Sequence, residues 1–441
     1  MRRRILPSLL VSVLALVAGC QTSPEPEAKS PESQSPEPQP SKSPSSEPPA
    51  APAEKKRASS PDKPMSWGPT AADLEQAQQM VSGWEPAELA GQVIVGRFYG
   101  TSPQDAADLV GDLHLAGVSI GSDNVVDAAQ VRATTAAVTR AHAADKRDFP
   151  PVIGVDQEGG LVAHLGGVAT AFPPFREAGT AVESGPRGRA VVRNAATATG
   201  MELRSLGFTW IFAPVADVTI GAADPTIGSR SPSHDQQTAA AAVGAAVPGY
   251  EAAGLVSTTK HFPGHGSVRA DSHEVLPRLT ESLETLRKRD LVPFEAAIEA
   301  GAPAIMMGHL DARAIAPGVP TSLAPEAYDL LRDELGFEGV TITDSMGMGA
   351  VIRPGKPAVD ALRAGADLLL MPSDTRNTHA VVTEAIENGA ISRERVEEAA
   401  ARVVALQLWQ QRRAAAVPVP SQAEAARRAQ AASAALDAAG G

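Results

Sequence analysis

A single cysteine stands among the 441 residues, so no disulfide can close within the chain and zinc sites built on several thiolates are excluded. Positive charge is also in short supply. The 39 Lys and Arg against 51 Asp and Glu leave a formal charge of −12, which makes the chain a poor binder of nucleic acid, and no nucleic-acid partner is expected. With 43% hydrophobic and 20% charged residues, the composition excludes wholesale disorder, a collagen-like repeat and a multi-span membrane protein. Residues 21–64 lack every aromatic, Val, Leu, Ile and Met side chain while carrying twelve prolines, so they cannot form an ordered core. Such chain favours extended polyproline II and can hold a folded body up to on the order of 100 Å from its point of attachment.

The lone cysteine has a definite setting. Arg2, Arg3 and Arg4 precede an apolar run from Ile5 to Ala18 that closes on Leu16-Val17-Ala18-Gly19-Cys20. The run is too short to cross a bilayer permanently. Its basic start and small-residue end resemble a bacterial lipoprotein leader. The expectation is a signal peptide over 1–19, a lipid on Cys20, a disordered stalk over 20–64 and attachment to the outer face of the cytoplasmic membrane. Loss of the three leader arginines would take the charge to −15. Arg-Arg-x-Ile-Leu leaves both the general secretory and the twin-arginine export routes open.

From Met65 to residue 415, short apolar runs alternate with Ala-rich stretches of helical pattern. The runs are Val93 to Val95, Val118 to Ile120, Pro151 to Val155, Trp210 to Val215, Val256 to Thr259, Ala304 to Met307, Val340 to Thr343 and Asp367 to Leu370. Eight such units predict an α/β fold, a single (β/α)8 TIM-type barrel, with an open doubly wound sheet as the alternative. Helical structure is expected along 280–300, where Leu283, Leu286, Phe294 and Ile298 recur, with Thr280 as N-cap and Glu281 in the first turn. The Ala-rich tail over 416–441 is expected to form a frayed surface helix from Ser421 onward, without a function.

A barrel of this kind carries its chemistry on the loops that follow the strands. Those loops here hold Asp156-Gln157-Glu158-Gly159-Gly160, Asp217, Lys260-His261-Phe262-Pro263-Gly264-His265-Gly266, His309, Asp311 and Asp344-Ser345-Met346. Four of the nine histidines fall between residues 261 and 309. Asp344 ends an apolar strand, where it is either a nucleophile or a cap on the next helix. His273 is a proton carrier if Asp271 orients it, or a solvated loop histidine. Lys260 is a donor to hydroxyls or a buried ion-pair partner. Metal-dependent hydrolase barrels need a His-x-His pair on the first strand, which Val93-Ile94-Val95-Gly96-Arg97 lacks, so no metal or cofactor is expected.

The stretch Lys260 to Gly266, followed by Asp271-Ser272-His273 and Pro277, closely resembles the signature of glycoside hydrolase family 3 β-N-acetylglucosaminidases. The likeness extends to Asp156-x-Glu158-Gly159-Gly160, Phe212-Ala213-Pro214-Val215-x-Asp217, Ile227-Gly228-x-Arg230-Ser231, Thr343-Asp344-x-Met346 and Ala364 to Leu370, in the family's order. The resemblance implies a retaining exo-glycosidase acting by double displacement on terminal β-linked N-acetylglucosamine, with a carbohydrate as partner and peptidoglycan fragments as the source. It implies Asp344 as nucleophile, His273 as acid/base assisted by Asp271, and Asp156, Arg230, Lys260 and His261 as sugar ligands. Asp217 and His309 match more weakly. Leu161 and His164 stand where family members often carry arginines. With 70 residues after Met371, no large second domain of the β-glucosidase type is expected. The same residues leave three alternatives open: a catalytically silent muropeptide binder, an enzyme that uses phosphate as acceptor, and one acting on another β-glycoside.

Overall fold

The computed structural model describes residues 63–441 except 225, 353 and 354. The expected leader, Cys20 and the stalk as far as residue 62 lie outside the described residues.

All eight apolar runs form strands: β1 Ile94–Arg97, β2 Gly117–Ser119, β3 Val152–Gly154, β4 Trp210–Ile211, β5 Val256–Phe262, β6 Ala304–Met307, β7 Val340–Ser345 and β8 Leu368–Leu370. They pair in parallel in the order β3-β2-β1-β8-β7-β6-β5-β4. Helices cover the outer face of the sheet, so the strands read as continuous apolar runs and not as an alternation. Registers such as Ile94 opposite Leu369 and Gly117 opposite Val152 bring backbones close. A Cβ on Gly117 would lie 1.8 Å from the Val152 carbonyl oxygen, so that pairing requires glycine.

The seam between β3 and β4 decides between barrel and open sheet. Thr209 N donates to Ile153 O at 3.2 Å and Phe212 N donates to Val155 O at 3.0 Å, so the ring is nearly closed. A barrel therefore stands where the sequence left an open sheet as the alternative.

Two expectations need correction. Residues 280–300 form two helices, Leu283–Lys288 and Val292–Glu299, and Ser282 caps the first by accepting from Thr285 N, in place of Thr280. Pro293 lacks the N–H an uninterrupted helix needs and suits the first turn of a new one. At the break, buried Asp290 pairs with Arg289 at 2.9 Å. The tail is not frayed: helix Gln422–Gly440 packs on helices Arg176–Val182 and Pro186–Ser205 through buried Ala425, Ala429 and Leu436. Its alanines let the backbones approach, and Ser433 Oγ donates to Ala171 O at 3.1 Å.

At the end of the barrel opposite the loops that follow the strands, Asp367 enters β8 fully buried and receives Arg332, Arg395 and Arg402 at 2.9, 3.2 and 2.7 Å. Burial alone would raise its pKa, but the three guanidinium groups hold it at about 2. The charge is structural and ties two helices to the barrel floor.

Candidate active site

The strand ends open into one cavity of about 330 Å³, a size suited to a small ligand. Asp156, Arg230, Lys260, His261, His273 and Asp344 all line it. Asp271 completes the expected set by its contact with His273.

The floor is a charge cluster. Asp156 follows β3, and Glu158 lies in the short strand Gln157–Gly159. Lys260, in β5, contacts Asp156 and lies 2.6 Å from Glu158 Oε1. Arg230 donates two parallel bonds of 2.8 Å to Glu158. Burial disfavours the charges of Glu158, Arg230 and Lys260, yet the two cations hold Glu158 well below the usual carboxylate range, and Asp156 and Glu158 push the lysine up. Lys260 is therefore both an ion-pair partner and a cavity wall. The sequence assigned no role to Glu158, whose function is to fix the directions of Lys260 and Arg230. Its signal in the sequence was its place in the string Asp156-x-Glu158-Gly159-Gly160.

Beside the floor, Asp217 is fully buried and accepts three bonds, from His261 Nδ1 at 2.7 Å, His261 N at 3.2 Å and His265 N at 2.7 Å. Burial opposes its charge, but His261 and those bonds keep the carboxyl below its ordinary pKa. A carboxylate only accepts, so Nδ1 of His261 carries the proton and Nε2 is left for the cavity.

Asp344 sits near the end of β7, and its Oδ1 accepts from Ser345 N at 2.7 Å. The next helical turn starts only at Gly349 with Met348 at its N-cap, so Asp344 caps no helix. Burial works against its charge, but His261, Lys260 and the Ser345 N–H bring its pKa down to about 2. The carboxylate is ionised at neutral pH. Behind it, His309 donates from Nε2 to Ser345 O at 3.0 Å and meets Ser322 Oγ at 2.6 Å. Burial keeps that imidazole neutral, so it braces the strand end.

His273 stands at the rim with 65% of its side chain exposed, and its Nδ1 is 2.7 Å from Asp271 Oδ1. That contact turns Nε2 outward as the exchangeable site. An ionised carboxylate and an oriented imidazole thus share one cavity.

The family model for "Glycosyl hydrolase family 3 N terminal domain" matches residues 75–406. The chain belongs to glycoside hydrolase family 3. It is similar to a protein named beta-hexosaminidase A of Pseudoalteromonas piscicida, 31% identical over 69% of this chain and 55% of that protein, so it spans about half that relative's length. It is also similar to a beta-hexosaminidase of Stenotrophomonas maltophilia, 39% identical over 58% of this chain and 76% of the relative. A solved family 3 beta-N-acetylglucosaminidase from Paenibacillus sp. superposes with a TM-score of 0.71 at 32% identity, covering 79% of this chain and 68% of that one.

Within this family 3 barrel, the two departures at 161 and 164 separate. Leu161 is 89% exposed and does not line the cavity, whereas His164 does. Only the second replacement changes the lining of the cavity. Arg97, at the end of β1, also lines the cavity, although the sequence singled out no functional role for it. Its ion pair with Asp123 is stretched to 3.8 Å and its guanidinium lies over the Tyr99 ring at 5.0 Å. Among the described residues no group of His, Cys, Asp and Glu is arranged to hold a metal ion.

Proposed function

We propose that this chain is a retaining exo-β-N-acetylglucosaminidase. The observation that carries the reading is the shared cavity: ionised Asp344 at its wall, His273 held by Asp271 at its mouth, and a floor of fixed donors and acceptors between them. The relatives' names, beta-hexosaminidase and beta-N-acetylglucosaminidase, support the choice of sugar.

In the first step a carboxylate oxygen of Asp344 attacks the anomeric carbon. The bond to the leaving oxygen breaks, and that oxygen takes the proton from His273 Nε2. Asp271 stabilises the imidazolium before transfer and keeps its tautomer. In the second step neutral His273 takes a proton from water, whose oxygen displaces Asp344 and releases the sugar with its original configuration. Asp156, Arg230, Lys260 and His261 hold the sugar hydroxyls. Their side chains are locked by ion pairs before substrate arrives, which lowers the ordering cost of binding.

Peptidoglycan fragments are the proposed source of the sugar. Arg97 supports this reading, because it is a cavity-lining cation whose ion pair with Asp123 is stretched to 3.8 Å, and its guanidinium is suited to an acidic aglycone such as a lactyl-bearing sugar. The lipoprotein-like leader and proline-rich stalk support a site outside the cytoplasm, tethered through Cys20.

Proton NMR of the full chain hydrolysing an aryl β-N-acetylglucosaminide tests the mechanism. The β-anomer is expected first, and Asp344→Asn should lose on the order of 10³-fold or more in kcat. Initial release of the α-anomer, or equal rates for the variant, overturns the double displacement. Added phosphate is expected to leave the product as free sugar. Incorporation of labelled fatty acid that disappears in Cys20→Ala tests the tether.

A further inference from the structure

Of the triplet Asp271-Ser272-His273, only the middle residue turns inward. Ser272 is 1% exposed, while the side chains of Asp271 and His273 are 41% and 65% exposed. Its Oγ lies 2.8 Å from Nε2 of His265, which is equally buried. No partner reaches His265 Nδ1 among the described residues. A buried N–H left unpaired is costlier than a bare acceptor, so the proton belongs on Nε2, which donates to Ser272. His265 is itself fixed, since its backbone N–H donates to Asp217 and its ring meets that of His261 edge-on at 5.8 Å between centroids. Asp217 therefore sets a sugar-facing histidine and the anchor of the acid/base loop together.

A second attachment comes from the nucleophile's side. The turn Gly349–Val351 begins four residues after β7 ends, and Gly349 N donates to His273 O at 3.0 Å while Ala350 N donates to Ser272 O at 3.2 Å. A Cβ at position 349 would come within 2.4 Å of Glu274 O and 2.8 Å of His273 O, so the approach requires glycine. Among the described residues, Glu274 N and Val275 N donate to Asp271 O within the segment's own turn, and the next backbone tie along the loop is Asp311 N to Pro277 O at 2.8 Å.

We infer that His265, Ser272 and Gly349 are positioning residues that latch the loop bearing His273, the first two onto the segment that follows β5 and the third onto the turn that follows the Asp344 strand, so that acid/base and nucleophile keep one spacing. The inference rests on the glycosidase reading above. Both chemical steps need His273 Nε2 within hydrogen-bond reach of an oxygen on the anomeric carbon, and a displacement of about 1 Å can lower the rate about 100-fold. Ser272→Ala and Gly349→Ala leave the ion pairs of Asp156, Glu158, Lys260 and Arg230 untouched, so the charge cluster on the cavity floor is retained when the latch is cut.

Ser272→Ala and Gly349→Ala, made separately and together in the full chain, test this from two sides. Each is expected to lower kcat on a disaccharide about 10- to 100-fold while the Kd of N-acetylglucosamine stays within twofold. Azide, an anion that needs no general base, is expected to restore turnover of an aryl substrate with a good leaving group and to yield the glycosyl azide. The double variant should lose no more than about the worse single one, because both release the same loop. Amide exchange over residues 271–276 should accelerate at least tenfold in both variants. Unchanged exchange, or wild-type kcat in both variants, overturns the latch. Weakened sugar binding without azide rescue also overturns it, because that pattern marks general damage to the site. Accelerated exchange in variants of a chain whose wild type releases no sugar overturns the glycosidase reading and leaves the latch standing.

Discussion

Asp271 Oδ1 accepts both the backbone N–H of His273 at 2.9 Å and its ring Nδ1 at 2.7 Å. One oxygen thus sets where the imidazole stands and which nitrogen carries the exchangeable proton. Burial works to raise the carboxyl pKa, but the two bonds from His273 lower it, so the group is a charged acceptor.

Asp271→Asn should retain the geometry and lose the charge that stabilises imidazolium. A fall in kcat of roughly 10²-fold is expected on a disaccharide, within the range of general acid–base contributions. His273→Ala should fall further. Its loss in kcat/KM should shrink on aryl glycosides with very good leaving groups, because these need little protonation. A leaving-group series for both variants checks this, and a uniform loss across the series counts against the acid role.

Arg97→Gln is expected to separate acidic from neutral aglycones. KM for a substrate with a carboxylate on the sugar that leaves should rise roughly three- to tenfold, since the arginine is partly exposed and screened, while a neutral aryl glycoside is unaffected. Steady-state kinetics on the acid and its methyl ester decide the matter. Equal changes on both would remove Arg97 from aglycone selection.

His142 predicts an acid limit on stability. It is buried against Phe149 with ring centroids 5.3 Å apart, and burial together with Arg147 lowers its pKa from 6.5 to about 3. The folded state keeps this imidazole neutral where the unfolded chain protonates it. The stability it allows is complete above pH 6.5 and is lost as pH falls from there toward about 3. At pH 4.5 the loss from this one group is about 3 kcal/mol. In His142→Leu, the urea midpoint should fall less steeply between pH 6.5 and 4.5 than in the wild type, and parallel slopes would disprove the assignment.

Asp367→Ala should destabilise the barrel by about 3–5 kcal/mol, because it leaves Arg332, Arg395 and Arg402 converging on an empty acceptor site. The group lies at the opposite end from the cavity, so KM of the folded fraction should not change. Thermal melts and kinetics on the same preparation measure the two effects separately.

Much of this molecule was legible before any coordinates. The eight strands follow from short β-branched runs with Ala-rich stretches between them, a signal carried within a few residues of chain. The candidate residues were legible because chemistry at strand ends compresses into local strings such as Lys260-His261 and Asp271-Ser272-His273. Local order also explains why Ser282 could replace Thr280 as the observed cap, since two hydroxyl residues two positions apart offer nearly the same signal.

Other features depend on partners far apart in the chain. Ring closure rests on Thr209 and Phe212 meeting Ile153 and Val155, which no periodicity encodes. Glu158 became an organiser only when Lys260 and Arg230, about 100 and 70 residues away, converged on it, and Gly349 proved necessary only because His273 and Glu274 lie against it. The alanine tail read as loose because one helix shows only its own face; its burial depends on the groove that two other helices present. Propensity and periodicity act over a few residues and are written in the chain, whereas desolvation, ion pairing and close approach are properties of neighbours that only folding assembles.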